Sequence, residues 1–186
     1  MIESLRDIGY TLSTALADII DNSITAGASA VHIYADTLTD HPSIAIIDNG
    51  SGMGRSELIE ALRPGSKNPR EKRESSDLGR FGLGLKSASF SQCRRLTVLS
   101  RHDGVVSGAR WDLDEVAETD RWEISLIEDD DSIPYADLLR GNGTLVLWQK
   151  LDRVDGGYRH DAGKRAQHIN NALADAERHL RVVFHR

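Results

Sequence analysis

The sequence predicts an α/β sandwich, and three observations carry that expectation. Amphipathic runs of helical period stand toward both ends of the chain, over residues 11–28 and 162–184. Segments rich in β-branched and aromatic residues lie between them. The 186 residues suffice for one sizeable core and are too few for two, so a single domain over 1–186 with a single site is expected.

In residues 11–28, Leu12, Ala15, Leu16, Ile19, Ile20, Ser23 and Ile24 recur at helical spacing, and Gly27 stands where a helix stops. Residues 30–34 and 43–48 read as paired strands across a polar turn that ends at Pro42. Asp48-Asn49-Gly50-Ser51-Gly52 is then a sharp loop, and 55–62 a short helix. From about 63 to 78 the chain holds Pro64, Gly65, Pro69 and many charged side chains with almost nothing apolar to bury, the composition of a lid or a linker. A helix over 85–92 follows, then β-rich segments near 96–100, 105–111, 122–127 and 144–149. After Gly156-Gly157 a helix at about 161–184 carries Ile169, Leu173, Ala176, Leu180 and Val183 on one stripe. The acidic run Glu128-Asp129-Asp130-Asp131 reads as a solvated loop.

Composition narrows the classes. A hydrophobic fraction of 39% with 28% charged residues belongs to an ordinary globular chain, not to a disordered one. No stretch reaches the roughly 18 consecutive apolar residues of a membrane span, and the first residues lack the apolar run of a signal peptide. Together with the lone Cys93, which excludes an intrachain disulfide, this predicts a cytoplasmic protein without a membrane partner. A formal charge of −6 argues against a domain-wide nucleic-acid surface, leaving such contacts to other regions. The His residues are scattered without zinc-ligand spacing.

Three segments carry candidate chemistry. Asp18 and Asn22 are four residues apart, on one helix face one turn from each other. They are either the solvent edge of an amphipathic helix or a working pair, with the Asn22 carbonyl as a Mg²⁺ ligand and the Asp18 carboxylate orienting or deprotonating water. Asp48 closes the apolar strand Ile44-Ala45-Ile46-Ile47, and Gly50 and Gly52 after it let a flat ring approach the backbone; the same residues also make a plain turn. Gly79-Arg80-Phe81-Gly82-Leu83-Gly84-Leu85-Lys86-Ser87 runs from a glycine-rich loop into a helix, where free N–H groups can hold phosphate. It misses the Walker A pattern because Leu85 separates Gly84 from Lys86, and a structural tight turn is the alternative.

In this order the segments resemble the GHKL superfamily, named for gyrase, the large heat-shock chaperone, histidine kinases and MutL. Residues 16–26, with Asp18-Ile19-Ile20-Asp21-Asn22-Ser23, look like its first motif. Asp48 to Gly52 look like the second, Gly79 to Lys86 like the third, and Gly141-Asn142-Gly143-Thr144 like the last. The wording is closest to the MORC-like and bacterial HSP90-like branch. The resemblance implies a Bergerat-type two-layer sandwich of a mixed β-sheet against helices, with the lid at about 63–78. It implies Asn22 as the Mg²⁺ ligand, Asp48 as the adenine reader, and Gly50, Gly52 and Met53 at the base. Gly82, Gly84 and Lys86 then meet phosphate, Thr144 assists at the adenine end, and Lys67 lies on the lid. Asp18 and Lys86 are the implied catalytic pair, although ATP-hydrolysing relatives usually carry Glu at the place of Asp18.

The activity expected is Mg-dependent ATP binding with slow hydrolysis, used as a conformational and dimerisation switch in DNA maintenance or defence. The alternatives are a nucleotide-binding regulator that does not hydrolyse and, ranked lower, a phosphotransferase of histidine-kinase type. Expected partners are ATP and ADP, a second copy brought together by nucleotide, and a downstream transducer-type domain of a longer protein of which this chain is the N-terminal part.

Overall fold

The computed structural model describes residues 6, 9–63, 84–128 and 130–185. Helix α1 (Leu12–Thr25) starts at Thr11, whose hydroxyl accepts the Thr14 N–H at 3.2 Å while Thr14 Oγ1 accepts the Thr11 N–H at 3.0 Å. Losing such a reciprocal cap costs about 1 kcal/mol. The helix stops as expected around Gly27: the Gly27 N–H bonds the Ile24 carbonyl and the Ala28 N–H bonds the Ser23 carbonyl, satisfying the last turn.

Strands β1 (Val31–Asp36) and β2 (Ser43–Asp48) form a hairpin, followed by α2 (Arg55–Leu62), α3 (Gly84–Phe90), β3 (Arg95–His102), β4 (Val105–Asp112), α4 (Leu113–Thr119), β5 (Ser125–Ile127), a 3-10 turn at Ala136–Leu138, β6 (Gly143–Gln149) and α5 (Ala162–Val183). The lid expected at about 63–78 falls, except for Arg63, outside the described residues.

The six strands lie in the order β1-β2-β6-β3-β4-β5, so the α/β sandwich is present. Its sheet is antiparallel at every pairing rather than mixed. The reason is β6, which inserts between β2 and β3 and pairs antiparallel with both; β2 and β3 run the same way but never touch as neighbours.

Strand alternation builds two cores. Ile44 and Ile46 of β2, Leu96 and Val98 of β3, Trp111 of β4, and Val146 and Trp148 of β6 turn toward the helices. There they meet Leu12, Leu16 and Ile19 of α1, Leu58 and Leu62 of α2, Phe90 of α3 and Ile169 of α5. The intervening Ala45, Ile47, Leu99, Leu145 and Leu147 face the other way, under Ile133 and Leu139 from the β5–β6 connection. Covered on both faces, all six residues of β2 are buried, which is why the strand reads as a continuous apolar run. The two buried indoles are satisfied: Trp148 Nε1 donates to Ser89 Oγ at 2.9 Å and Trp111 Nε1 to the Leu62 carbonyl at 3.0 Å. An unpaired N–H in either place would cost about 1–3 kcal/mol.

Two local expectations change. The strand predicted over 122–127 is only Ser125–Ile127, because Trp122 leaves the sheet to set its ring edge-on against Trp111, with centroids 5.8 Å apart. Helix α4, not predicted, follows from Asp112, whose side chain accepts the Asp114 N–H and caps a turn that buries Leu113 and Val116.

Candidate functional site

The end of β2 delivers Asp48 to the meeting point of α1, β3 and β6. Only 9% exposed, its carboxylate is held from both sides. Oδ1 accepts the Gly50 N–H at 2.8 Å and the Thr144 N–H at 3.2 Å, and Oδ2 accepts the Ser23 hydroxyl at 3.0 Å. A carboxylate offers about four acceptor positions, so this one keeps a free position on Oδ2 for a further donor.

The Ser23 contact fixes α1 to the strand end and so sets where Asn22 and Asp18 lie. Asn22 is exposed and Asp18 half-buried, on the same face of α1. The Ser51 N–H bonds the Ala26 carbonyl at 2.9 Å, closing the loop onto the end of α1. Across the loop, Ser100 of β3 ties three chain segments together. Its hydroxyl oxygen accepts the Met53 N–H at 2.7 Å and lies 3.1 Å from the Gly143 carbonyl and 3.0 Å from Thr144 Oγ1.

The backbone approaches here are too close for side chains. Gly52 has φ +68°, and a Cβ on it would stand 2.0 Å from the Arg101 carbonyl oxygen. A Cβ on Gly143 would stand 2.1 Å from the Asp48 carbonyl oxygen. The second and fourth sequence motifs therefore touch through bare backbone. Asp48, Gly50, Gly52, Met53 and Thr144 are brought together, beside the helix that carries Asp18 and Asn22.

Lys86 is placed differently. It lies in α3, 4% exposed, and its ammonium donates to the Ala61 carbonyl at 3.0 Å and to the Arg63 carbonyl, at the C-terminal end of α2. Burial lowers its pKa to about 8. Gly84 opens α3 with no heavy atom near the position of an added Cβ. Gly82 and Lys67 lie outside the described residues.

Three contacts were not read from the sequence. The Tyr10 hydroxyl donates to Asp18 Oδ2 at 2.7 Å. That bond, more than burial or the nearby negative charge, raises the Tyr10 pKa to about 12. Ser100 left a faint signal, a polar residue at the end of the β-rich segment Leu96 to Leu99. His102 is half-buried, with Nδ1 2.8 Å from the Ser51 carbonyl, which favours the protonated ring and raises its pKa.

Residues 10–143 match the family model described as histidine kinase-, DNA gyrase B- and HSP90-like ATPase. The chain belongs to this ATPase family. The match runs from Tyr10 through the Asp48 loop to Gly143, well over half the chain and nearly all of the site described above. Among similar proteins, ATPase morc-1 of Caenorhabditis elegans is 31% identical over 94 residues, covering 50% of this chain and 11% of that protein. The chaperone protein HtpG of Salinispora tropica is 28% identical over 109 residues, 52% of this chain and 17% of its own length. The DNA mismatch repair protein MutL of Rhodopseudomonas palustris is 28% identical over 138 residues, 72% of this chain and 20% of its own. The matched segment is thus no more than about a fifth of each of these relatives. Membership in the family carries ATP binding and hydrolysis as its common chemistry. Among the described residues no helix is long and apolar enough to cross a membrane.

Proposed function

We propose that this domain binds Mg·ATP between α1 and the loops at Asp48 and Gly84, and hydrolyses it slowly. The observation that carries the proposal is the state of Asp48: a buried carboxylate with three donors satisfied and one acceptor position left, at the strand end where Gly52 and Gly143 meet bare backbone. An adenine amine is a donor of that kind, and Gly50, Gly52 and Met53 form the loop at the base end. Thr144 supports the same end through its N–H. Asn22, exposed one turn from Asp18, holds Mg²⁺ through its amide oxygen; the ion, when bound, offsets phosphate charge.

In the reaction Asp18 orients a water molecule and takes its proton as the water oxygen bonds to the terminal phosphorus and ADP leaves with the bridging oxygen. Gly82 and Gly84 meet phosphate through backbone N–H groups, with Lys67 closing from the lid. Lys86 contributes its charge by exchanging the Ala61 and Arg63 carbonyls for phosphate oxygens. The nucleotide state then sets the lid and the pairing of two copies, working on a transducer-type region in a cytoplasmic protein of DNA maintenance or defence. The likeness to a DNA mismatch repair protein favours that setting.

The shorter side chain of Asp18, where the family resemblance implies that hydrolysing relatives usually carry Glu, favours a second reading, a regulator that binds nucleotide without turnover. Phosphate release decides between them. The first reading expects slow native turnover that falls to a low residual rate in Asp18→Asn; a silent native protein that gains turnover in Asp18→Glu selects the regulator.

A further inference from the structure

We infer that Tyr10 is a positioning residue for Asp18: its phenol fixes one carboxylate oxygen and leaves the other for the attacking water. The inference rests on Asp18 being the group that takes the proton from that water. An aspartate lacks the reach of glutamate and turns about two side-chain torsions, so as a base it needs an external hold to stay aimed. The 2.7 Å bond from Tyr10 to Oδ2 is that hold, and among the described residues it is the one side-chain hydrogen bond Asp18 receives.

Tyr10 is itself anchored. It directly precedes the Thr11 cap of α1, its ring packs against the main core, and its carbonyl accepts the side-chain amide of the buried Gln92 at 3.4 Å. A phenol suits this place chemically. Ionising only at about pH 12, it donates its proton to Asp18 throughout the neutral range and does not compete for the proton of the water. The ring also lines a cavity of about 410 Å³ with Arg6, Gln92, Arg153 and His168, and neither Asn22 nor Asp48 reaches that cavity. The hydroxyl bond to Asp18 is what links Tyr10 to the site.

Tyr10→Phe removes the hydroxyl and keeps the ring, so the fold survives. In phosphate-release assays on the full chain, kcat falls by about tenfold while KM and nucleotide affinity stay within about twofold, the pattern of a lost orienting contact. In an Asp18→Asn background the same change gives no further loss. In a spectrophotometric titration, one of the four tyrosines ionises late in the native chain and returns toward the ordinary range in Asp18→Asn. An unchanged kcat in Tyr10→Phe, or an equal loss with and without Asp18, overturns the inference while leaving Asp18 as base. Absent native turnover removes the hydrolysis reading, turnover indifferent to Asp18→Asn removes Asp18 as its base, and either result removes this role as well.

Discussion

Replacing Asp48 by Asn separates what this carboxylate does for the fold from what it does for nucleotide. The amide oxygen can still accept the Gly50 and Thr144 N–H groups, now at 2.8 and 3.2 Å from Oδ1. The NH₂ then faces Ser23, whose hydroxyl already lies 3.2 Å from the Ile19 carbonyl and can turn its hydrogen there while accepting from the amide. Every group keeps a partner, so the stability lost is about 1 kcal/mol, the charge assistance of these bonds. The nucleotide fares worse. The free acceptor position on Oδ2 becomes a donor facing a donor, at a cost of about 1.5–3 kcal/mol, or roughly ten- to hundredfold in affinity. Calorimetric titration with ATP, beside urea denaturation of both proteins, measures the two terms independently. A triphosphate whose purine lacks the exocyclic amine sharpens the test, since the native protein should bind it about as weakly as the variant binds ATP. Native affinity in Asp48→Asn, or an affinity loss matched by collapse of the denaturation midpoint, refutes the assignment of Asp48 as a base reader.

Gly52→Ala and Gly27→Ala form a second test, because the two glycines have similar φ, +68° and +75°, in different surroundings. Gly27 has open space at the Cβ position and should lose only the left-handed strain, about 1–2 kcal/mol; at Gly52 the Arg101 carbonyl oxygen blocks the methyl at 2.0 Å, so thermal denaturation should show at least twice that loss. Equal shifts would mean that the Asp48 loop yields freely. Lys86 has a folded pKa of about 8 against an ordinary value of 10.5, so the unfolded chain binds its proton more readily between those values. Protonated Lys86 thus costs stability below about pH 8, and the native chain should gain stability relative to Lys86→Met as pH rises from 8 to 10.5. Urea midpoints across that range check it, and a relative loss with rising pH contradicts it.

Much of this was legible in the sequence where one residue type has one cause. The stripe Leu12, Ala15, Leu16, Ile19 and Ser23 is the buried face of α1, as its period predicts. Ile24, counted with it, is 43% exposed, since the stripe facing the core is narrower than the apolar set. The Arg55–Leu62 helix and the Ser43–Asp48 strand appear with the predicted bounds. Direction and distant partners were not legible. The order of elements is silent on β6 entering between β2 and β3, and only that insertion brings Thr144 and Gly143 to Asp48. The glycine-rich context of Lys86 pointed to phosphate, whereas the side chain here meets carbonyls of α2, a neighbour set by packing rather than sequence. Tyr10 escaped notice because it stands eight positions before Asp18, with the helix cap between them, so periodicity within α1 does not reach it.

A Mg·ATP site built by α1 and the Asp48 loop is open to direct measurement by titrating the chain with ATP in the presence and absence of Mg²⁺, beside Asn22→Ala. Such a site requires saturable binding that strengthens with Mg²⁺ in the native protein and loses that strengthening in Asn22→Ala. No binding heat with either ATP or ADP, or Mg²⁺ dependence untouched by Asn22→Ala, would contradict it.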